Sequence, residues 1–237
     1  MAGWDCSGGI CFPAWIPVSF DFAYLSDSAS STHMTRSNRS AGSLFLTLFP
    51  ILFLTMLLAV SPAVAQDRPE EGGHELQVWT GGGRSVPGGT KDTGLWNAGV
   101  RYGWILTAPH GPGFLNGRFE YAVDAVPAFV VFQPRNTAYG AGVNPLGLKW
   151  IFATRSDVQP YLELNGGTLF TNHEVPAGTS TINFTSGAAF GIHFLHEHAW
   201  TLEVRYMHIS NAGLTKPNPG INTVQMRLGF GKFFGKK

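Results

Sequence analysis

Beyond Gly73 the chain alternates. Apolar and polar residues trade places at every step over segments of roughly ten residues, and clusters of Gly, Pro, Asn and Ser separate the segments. A period of two requires a strand with unlike faces. An amphipathic helix is excluded, because its apolar residues would recur every three or four positions. Eight strands are predicted, at roughly 74–81, 94–106, 114–126, 138–153, 159–171, 182–195, 199–210 and 221–234.

The faces are legible residue by residue. In the second segment Trp96, Ala98, Val100, Tyr102 and Trp104 oppose Asn97, Gly99, Arg101 and Gly103. In the third, Leu115, Phe119, Tyr121, Val123 and Ala125 oppose Asn116, Arg118, Glu120 and Asp124. The sixth sets Phe184, Ala188, Phe190, Ile192 and Phe194 against Asn183, Thr185, Gly187 and His193. In the seventh, Trp200, Leu202, Val204 and Tyr206 oppose Thr201, Glu203 and Arg205; in the eighth, Val224, Met226, Leu228 and Phe230 oppose Thr223, Gln225, Arg227 and Gly229.

A soluble sandwich or lipocalin-like barrel also alternates, so the period alone leaves the medium open. Three features point to a membrane. Aromatics sit near the ends of the apolar face, charges of both signs collect on the other face, and the links alternate in length. Long links are expected after segments one, three, five and seven, and short ones after two, four and six, as in outer-membrane barrels. The expected fold is therefore all-β, an eight-stranded antiparallel transmembrane barrel over 74–237. Low charge (13%) and 30 glycines agree with that class. A net charge of +1 gives no electrostatic case for nucleic acid.

The N-terminal third reads differently. Arg36 and Arg39 precede an apolar run from Leu44 to Val60, and Ala63-Val64-Ala65 follows as a small-x-small cleavage pattern. Residues 34–65 are thus expected to be a signal peptide for export. A permanent anchor is the alternative, but the run is short for one and nothing basic follows it. Residues 1–33 read as an upstream extension ahead of Met34, and 66–73 as a polar leader. Cys6 and Cys11 both fall in that extension, so the exported chain carries no disulfide and no thiolate metal site.

With the N-terminus in the periplasm, the seventh strand runs outward and ends on "HIS", residues 208–210. Its lipid-facing residues are even-numbered, so His208 and Ser210 face out of the barrel at the height of the outer leaflet. Pairing residues whose numbers sum to 430 across the next hairpin sets Asn222 beside His208, about 5 Å away. Spacing alone leaves two readings open, a catalytic cluster or polar residues marking the headgroup boundary.

The stretch "RYMHISNAGLTKPNPG" from Arg205 resembles the signature of the outer-membrane lipid A 3-O-deacylases (PagL-like, or acyloxyacyl hydrolases). That resemblance is sharp over about 205–222 and architectural over the rest of the exported chain. It implies a Ser-His-Glu triad on the membrane-facing wall, a lipid A or lipopolysaccharide substrate among outer-membrane lipids, and no cofactor. By position, Ser210 matches the nucleophile and His208 the general base. Asn211 and Asn218 match asparagines that support the site and its oxyanion pocket, and Gly213 occupies the turn. The family's glutamate falls on Asn222. A neutral amide orients the ring but does not neutralise the imidazolium that forms when serine gives up its proton. No Asp or Glu follows Glu203, which faces inward, so the same hairpin supplies no replacement acid. The implied activity is an ester hydrolase with a non-acidic third member; a non-catalytic, lipopolysaccharide-binding barrel is the alternative. Whether the barrel acts as a monomer or a homodimer is left open.

Other features read blandly. His193, His196 and His198 form a turn-exposed cluster in "HFLHEH", with metal binding as the alternative. Gly81-Gly82-Gly83 before Arg84 lacks the lysine and helix of a phosphate loop and reads as strand end and loop. The inward set Arg101, Arg118, Glu120, Asp124, Lys149, Glu163, Glu203, Arg205 and Arg227 is expected to plug a lumen only wide enough for side chains, rather than line a pore.

Overall fold

A computed structural model describes residues 68–196 and 198–235, together with the backbone of Trp4–Asp5 and Phe12–Pro13. Those two short stretches pair antiparallel within an N-terminal unit, Met1–Leu58. The expected signal peptide at 34–65 and most of the expected extension lie outside the described residues.

Eight strands follow: β1 (Gly73–Ser85), β2 (Gly94–Ile105), β3 (Gly117–Phe132), β4 (Thr137–Phe152), β5 (Val158–Thr171), β6 (Ile182–Leu195), β7 (Ala199–Ser210) and β8 (Ile221–Gly235). Each pairs antiparallel with the next, and β8 returns to β1 from Gly235↔Gly73 to Thr223↔Ser85, closing the barrel. Closure leaves no unpaired edge, which is what a hydrocarbon medium demands of a sheet.

The barrel is apolar outside and polar inside. Trp96, Leu162, Leu164, Phe190, Trp200, Val204, Tyr206, Met226 and Leu228 are exposed around the wall. A belt of that extent has no stable place in water and fits a bilayer. Near the barrel's own termini a ring of aromatics girdles it: Tyr102 lies 4.7 Å from Trp104, and Trp104 stacks on Tyr121 at 5.7 Å. The leader folds under that end, where Arg68 pairs with Asp157 at 2.8 Å and the Arg118 guanidinium donates to the Pro69 carbonyl.

The interior is layered. Toward the loop end Leu95, Val131, Leu169, Met207, Ile209 and Ile221 pack together; toward the termini Ile105, Ile151, Leu195, Ala199 and Phe233 do the same. Between them lies an ionic layer. Arg101 grips Asp124 (2.8 and 2.9 Å) and Glu163 (2.6 and 2.8 Å), Arg205 bridges Glu163 and Glu203, and Lys149 bridges Glu75 and Glu120. Arg227 covers the Trp79 ring at 3.5 Å. An internal cavity beside Trp79, Asn144, Met207 and Arg227 holds only about 10 Å³. The lumen is plugged, and Glu75 joins the plug although its face was not assigned from sequence. Arg118 does not; it is half-buried at the terminal end.

Three expectations are corrected. The first strand runs on to Ser85, so the triple glycine lies within it. A Cβ on Gly83 would stand 2.1 Å from the Val224 carbonyl and 2.7 Å from Gln225 Cα, so glycine is what lets β1 close against β8. The third strand starts at Gly117, after a 3-10 turn over Gly113–Leu115, and continues to Phe132 through a register shift between Val126 and Phe129. Pro127 sits at that shift, where a strand tolerates proline. The link after β3 is consequently the short 133–136 and the one after β2 the long 106–116, which breaks the expected alternation of link lengths.

His193 provides a fourth correction. It is fully buried in the lumen, stacked on Tyr161 at 4.6 Å and bonded to Thr201 Oγ1 at 2.9 Å, rather than exposed with His196 and His198. His198 instead packs on Phe230 at the turn. Inward parity, already visible in the sixth segment, outweighs the closeness of the three histidines in sequence.

Candidate functional site

The β7–β8 hairpin carries an unbroken alternation on both arms, and its register follows. Val224 pairs with Tyr206, and Asn222 pairs with His208. On the next strand Ser186 pairs with His208 and Phe184 with Ser210. His208 and Ser210 therefore stand on the outer wall above Tyr206, at the loop rim of the barrel.

His208 Nδ1 and Asn222 Oδ1 are 2.6 Å apart. The amide oxygen is an acceptor, so the ring donates Nδ1–H to it and presents Nε2 as the basic nitrogen. Ser210 lies two residues further along the same face, with a Cα separation of about 6.7 Å. Among the described residues the Ser210 hydroxyl makes no hydrogen bond. The structure thus brings His208 and Asn222 together, and among the described residues Ser210 and His208 share no hydrogen bond.

Two glycines make room for this pair, and neither was singled out from sequence. A Cβ on Gly220 would lie 2.7 Å from His208 Cε1 and 3.4 Å from Nε2, and Gly220 has φ +64. A Cβ on Gly88 would lie 2.7 Å from Asn222 Nδ2. Gly88 belongs to the β1–β2 loop, which is tied to the start of β8: Val86 N–H donates to the Asn222 carbonyl (2.8 Å) and Thr90 N–H to the Gly220 carbonyl (2.9 Å). The loop therefore walls the amide of Asn222, which is 8% exposed, from above.

The turn at 211–220 is organised by Asn211. Its buried side chain donates to the Thr215 carbonyl (3.1 Å) and hydroxyl (2.7 Å) and accepts from Gly213 N–H (2.8 Å). The Asn211 N–H donates to Asn218 Oδ1 at 3.3 Å, and Thr215 ties the turn to the Thr179 carbonyl. Gly213 and Ala212 both take positive φ there. Asn211 and Gly213 N–H are thus committed to shaping the turn and are not free to hold an oxyanion. The Asn218 side chain is exposed, and among the described residues its amide nitrogen is uncommitted.

A polar pair on a lipid-facing wall can hold a substrate that stays in the leaflet, orient an imidazole and deliver it beside a hydroxyl. No group of His, Cys, Asp or Glu among the described residues is arranged to hold a metal ion.

Known proteins bear on this arrangement. The model of a family described as lipid A 3-O-deacylase (PagL) matches residues 95–231. Among solved structures the chain is similar to the outer membrane enzyme PagL, at 19% identity and a TM-score of 0.51, over 65% of this chain and 97% of that one. It also matches the outer membrane protein OprG from Pseudomonas aeruginosa, at 15% identity and a TM-score of 0.45, over 72% of this chain and 99% of the other. Neisserial surface protein A matches at 13% identity and a TM-score of 0.38, over 70% and 100%. No curated protein matches the chain.

Proposed function

This chain belongs to the lipid A 3-O-deacylase (PagL) family of outer-membrane barrels, and on that premise we propose that it is a serine esterase that removes an ester-linked acyl chain from lipid A. The observation that carries the reading is the 2.6 Å contact between His208 and Asn222 on the outer wall, with Ser210 next along the same face.

In this reading the Ser210 hydroxyl attacks the acyl carbonyl and passes its proton to His208 Nε2. The sugar oxygen leaves with that proton, and the acyl group remains on Ser210. Water then attacks the acyl-enzyme, again giving its proton to Nε2, and the fatty acid is released as Ser210 recovers a proton. Asn222 holds the ring in the productive tautomer. The Asn218 amide, whose nitrogen the turn leaves uncommitted, donates to the oxyanion, while Asn211 and Gly213 hold the turn that carries it. No cofactor enters the scheme.

The neutral Asn222 favours a second reading, a barrel that binds lipopolysaccharide without hydrolysing it. One experiment separates the two: mass spectrometry of lipid A from cells making the wild type or Ser210→Ala. Loss of an acyl chain with the wild type alone supports the esterase. Identical spectra across several lipid A types would sink it.

A further inference from the structure

The outer wall beside the candidate site carries a cation. Arg84 pairs with Val224 on one side and Gly94 on the other, and Val224 pairs with Tyr206. Cross-strand partners share a face, so Tyr206, Val224 and Arg84 form one outward row, immediately below the row of His208 and Asn222. Val224 is 43% and Tyr206 45% exposed, which marks the row as membrane-facing. Arg84 is itself exposed. Two strand spacings and two residues along the strand put its Cα about 12 Å from that of His208.

An arginine on that face needs a reason. A cation on the lipid side of a barrel is costly unless it reaches the interface, and its head then looks for an anion. None is supplied internally: among the described residues neither the Arg84 guanidinium nor the Lys91 ammonium has an ion-pair or hydrogen-bond partner. Both line one groove of about 870 Å³ with Val86, Pro87, Asp92 and Phe132. Asp92 shares the groove but pairs with neither cation. The β1–β2 loop that packs Gly88 against Asn222 also walls this groove, which opens on the other side of Arg84 from the imidazole, toward Gly94 and Phe132.

We propose that Arg84 and Lys91 form a subsite for a phosphate ester on the sugar headgroup of the glycolipid, anchoring the headgroup while an acyl ester lies over Ser210. The proposal rests on the esterase reading for what happens at Ser210, but not for the binding itself. Arginine's planar fork and lysine's mobile ammonium both suit a phosphate monoester, which offers more charge and more acceptor oxygens than a phosphodiester lipid. The anchor works at the interface, where two cations are each worth about fivefold in affinity for an anionic lipid.

The test uses the full chain in detergent micelles. Binding of phosphorylated lipid A and of chemically dephosphorylated lipid A is measured on Ser210→Ala, alone and combined with Arg84→Gln and Lys91→Gln. The expected result is about a fivefold loss of affinity for phosphorylated lipid A per substitution, with dephosphorylated lipid A bound equally by all variants. Deacylation by the Arg84→Gln/Lys91→Gln chain should show a raised KM on the phosphorylated substrate and an unchanged kcat. Unchanged affinity and KM in the double variant would overturn the subsite while leaving the esterase intact. Charge-dependent binding without hydrolysis by the wild type would overturn the esterase and support the subsite. Equal competition by phosphatidylglycerol micelles or by inorganic phosphate would show a general anion surface and overturn the headgroup assignment.

Discussion

The lumen and the loop rim solve opposite problems. Inside, Arg101, Lys149 and Arg205 are sealed from solvent, yet each is held by two carboxylates. Outside, His208, Ser210 and Arg84 stand on the face where the fold prefers apolar residues, and only His208 has a side-chain partner, Asn222. Charges in the lumen are required by closure: a narrow polar interior must satisfy itself or collapse. The rim residues are required by nothing in the fold. Polar groups that a structure neither needs nor compensates are the ones to attribute to function.

The largest effect should come from the rim. Ser210→Ala is expected to lower deacylation by about 10³-fold or more, the scale on which a nucleophile acts with its base. The barrel itself should be unchanged, with the same mobility shift on heating and the same unfolding midpoint in urea. A variant that lost activity only because it failed to fold would blur the distinction between the regions.

The lumen should behave in the reverse way. Arg101→Leu leaves Asp124 and Glu163 without their main partner, and Glu163 retains only Arg205. Removing one member of a buried ion pair costs about 3–5 kcal/mol. Urea unfolding in lipid vesicles should shift by that amount, while the activity of the fraction that folds stays within about twofold, since the site lies on the opposite side of the wall. Loss of activity without loss of stability would mean that the network reaches His208.

Gly220→Ala should fall between. The new methyl would meet His208 Cε1 at 2.7 Å on a backbone with φ +64, so the ring must move off its bond to Asn222. An activity loss of about 10–100-fold is expected, mostly in kcat, with a stability cost near 1 kcal/mol. Gly88→Ala, which crowds the other end of the same bond, should show the same pattern more weakly.

What the sequence revealed follows from where the alternation is uninterrupted. Between Ile182 and Gly235 no extra residue intervenes within a strand, so parity and hairpin arithmetic lead straight to Asn222 beside His208. Around Pro127 a bulge re-phases the pattern, and there the end of the third strand and the length of the link after it differ from expectation; the bulge at Pro145 left the ends of its strand legible. The glycine cradle was illegible for a different reason. Gly88 meets Asn222 only because β1 closes on β8, the contact most distant in sequence, and alternation carries no information about closure. The plug was legible as a set of charges, but not who pairs with whom: Lys149 turns to Glu75, a residue on the first strand.

The smallest effect is also the most informative about the family position. Asn222→Glu restores an anion opposite Nδ1, where the amide oxygen now sits at 2.6 Å. A carboxylate stabilises the imidazolium of the transition state, whereas the amide only orients the neutral ring. Glutamate is one methylene longer, however, and the Gly88 wall leaves little space around the side-chain nitrogen of Asn222. The charge gain and the crowding oppose each other, so an increase in kcat of about tenfold is expected rather than the larger gain that charge alone would give. The single variant Asn222→Gln, as long as glutamate but neutral, isolates the crowding: it should lie below the wild type. If Asn222→Glu and Asn222→Gln fall together, length governs the site and the amide is matched to its walls. If glutamate rises while glutamine falls, the rim differs from the lumen in one more respect, for it is tuned by a charge that it lacks.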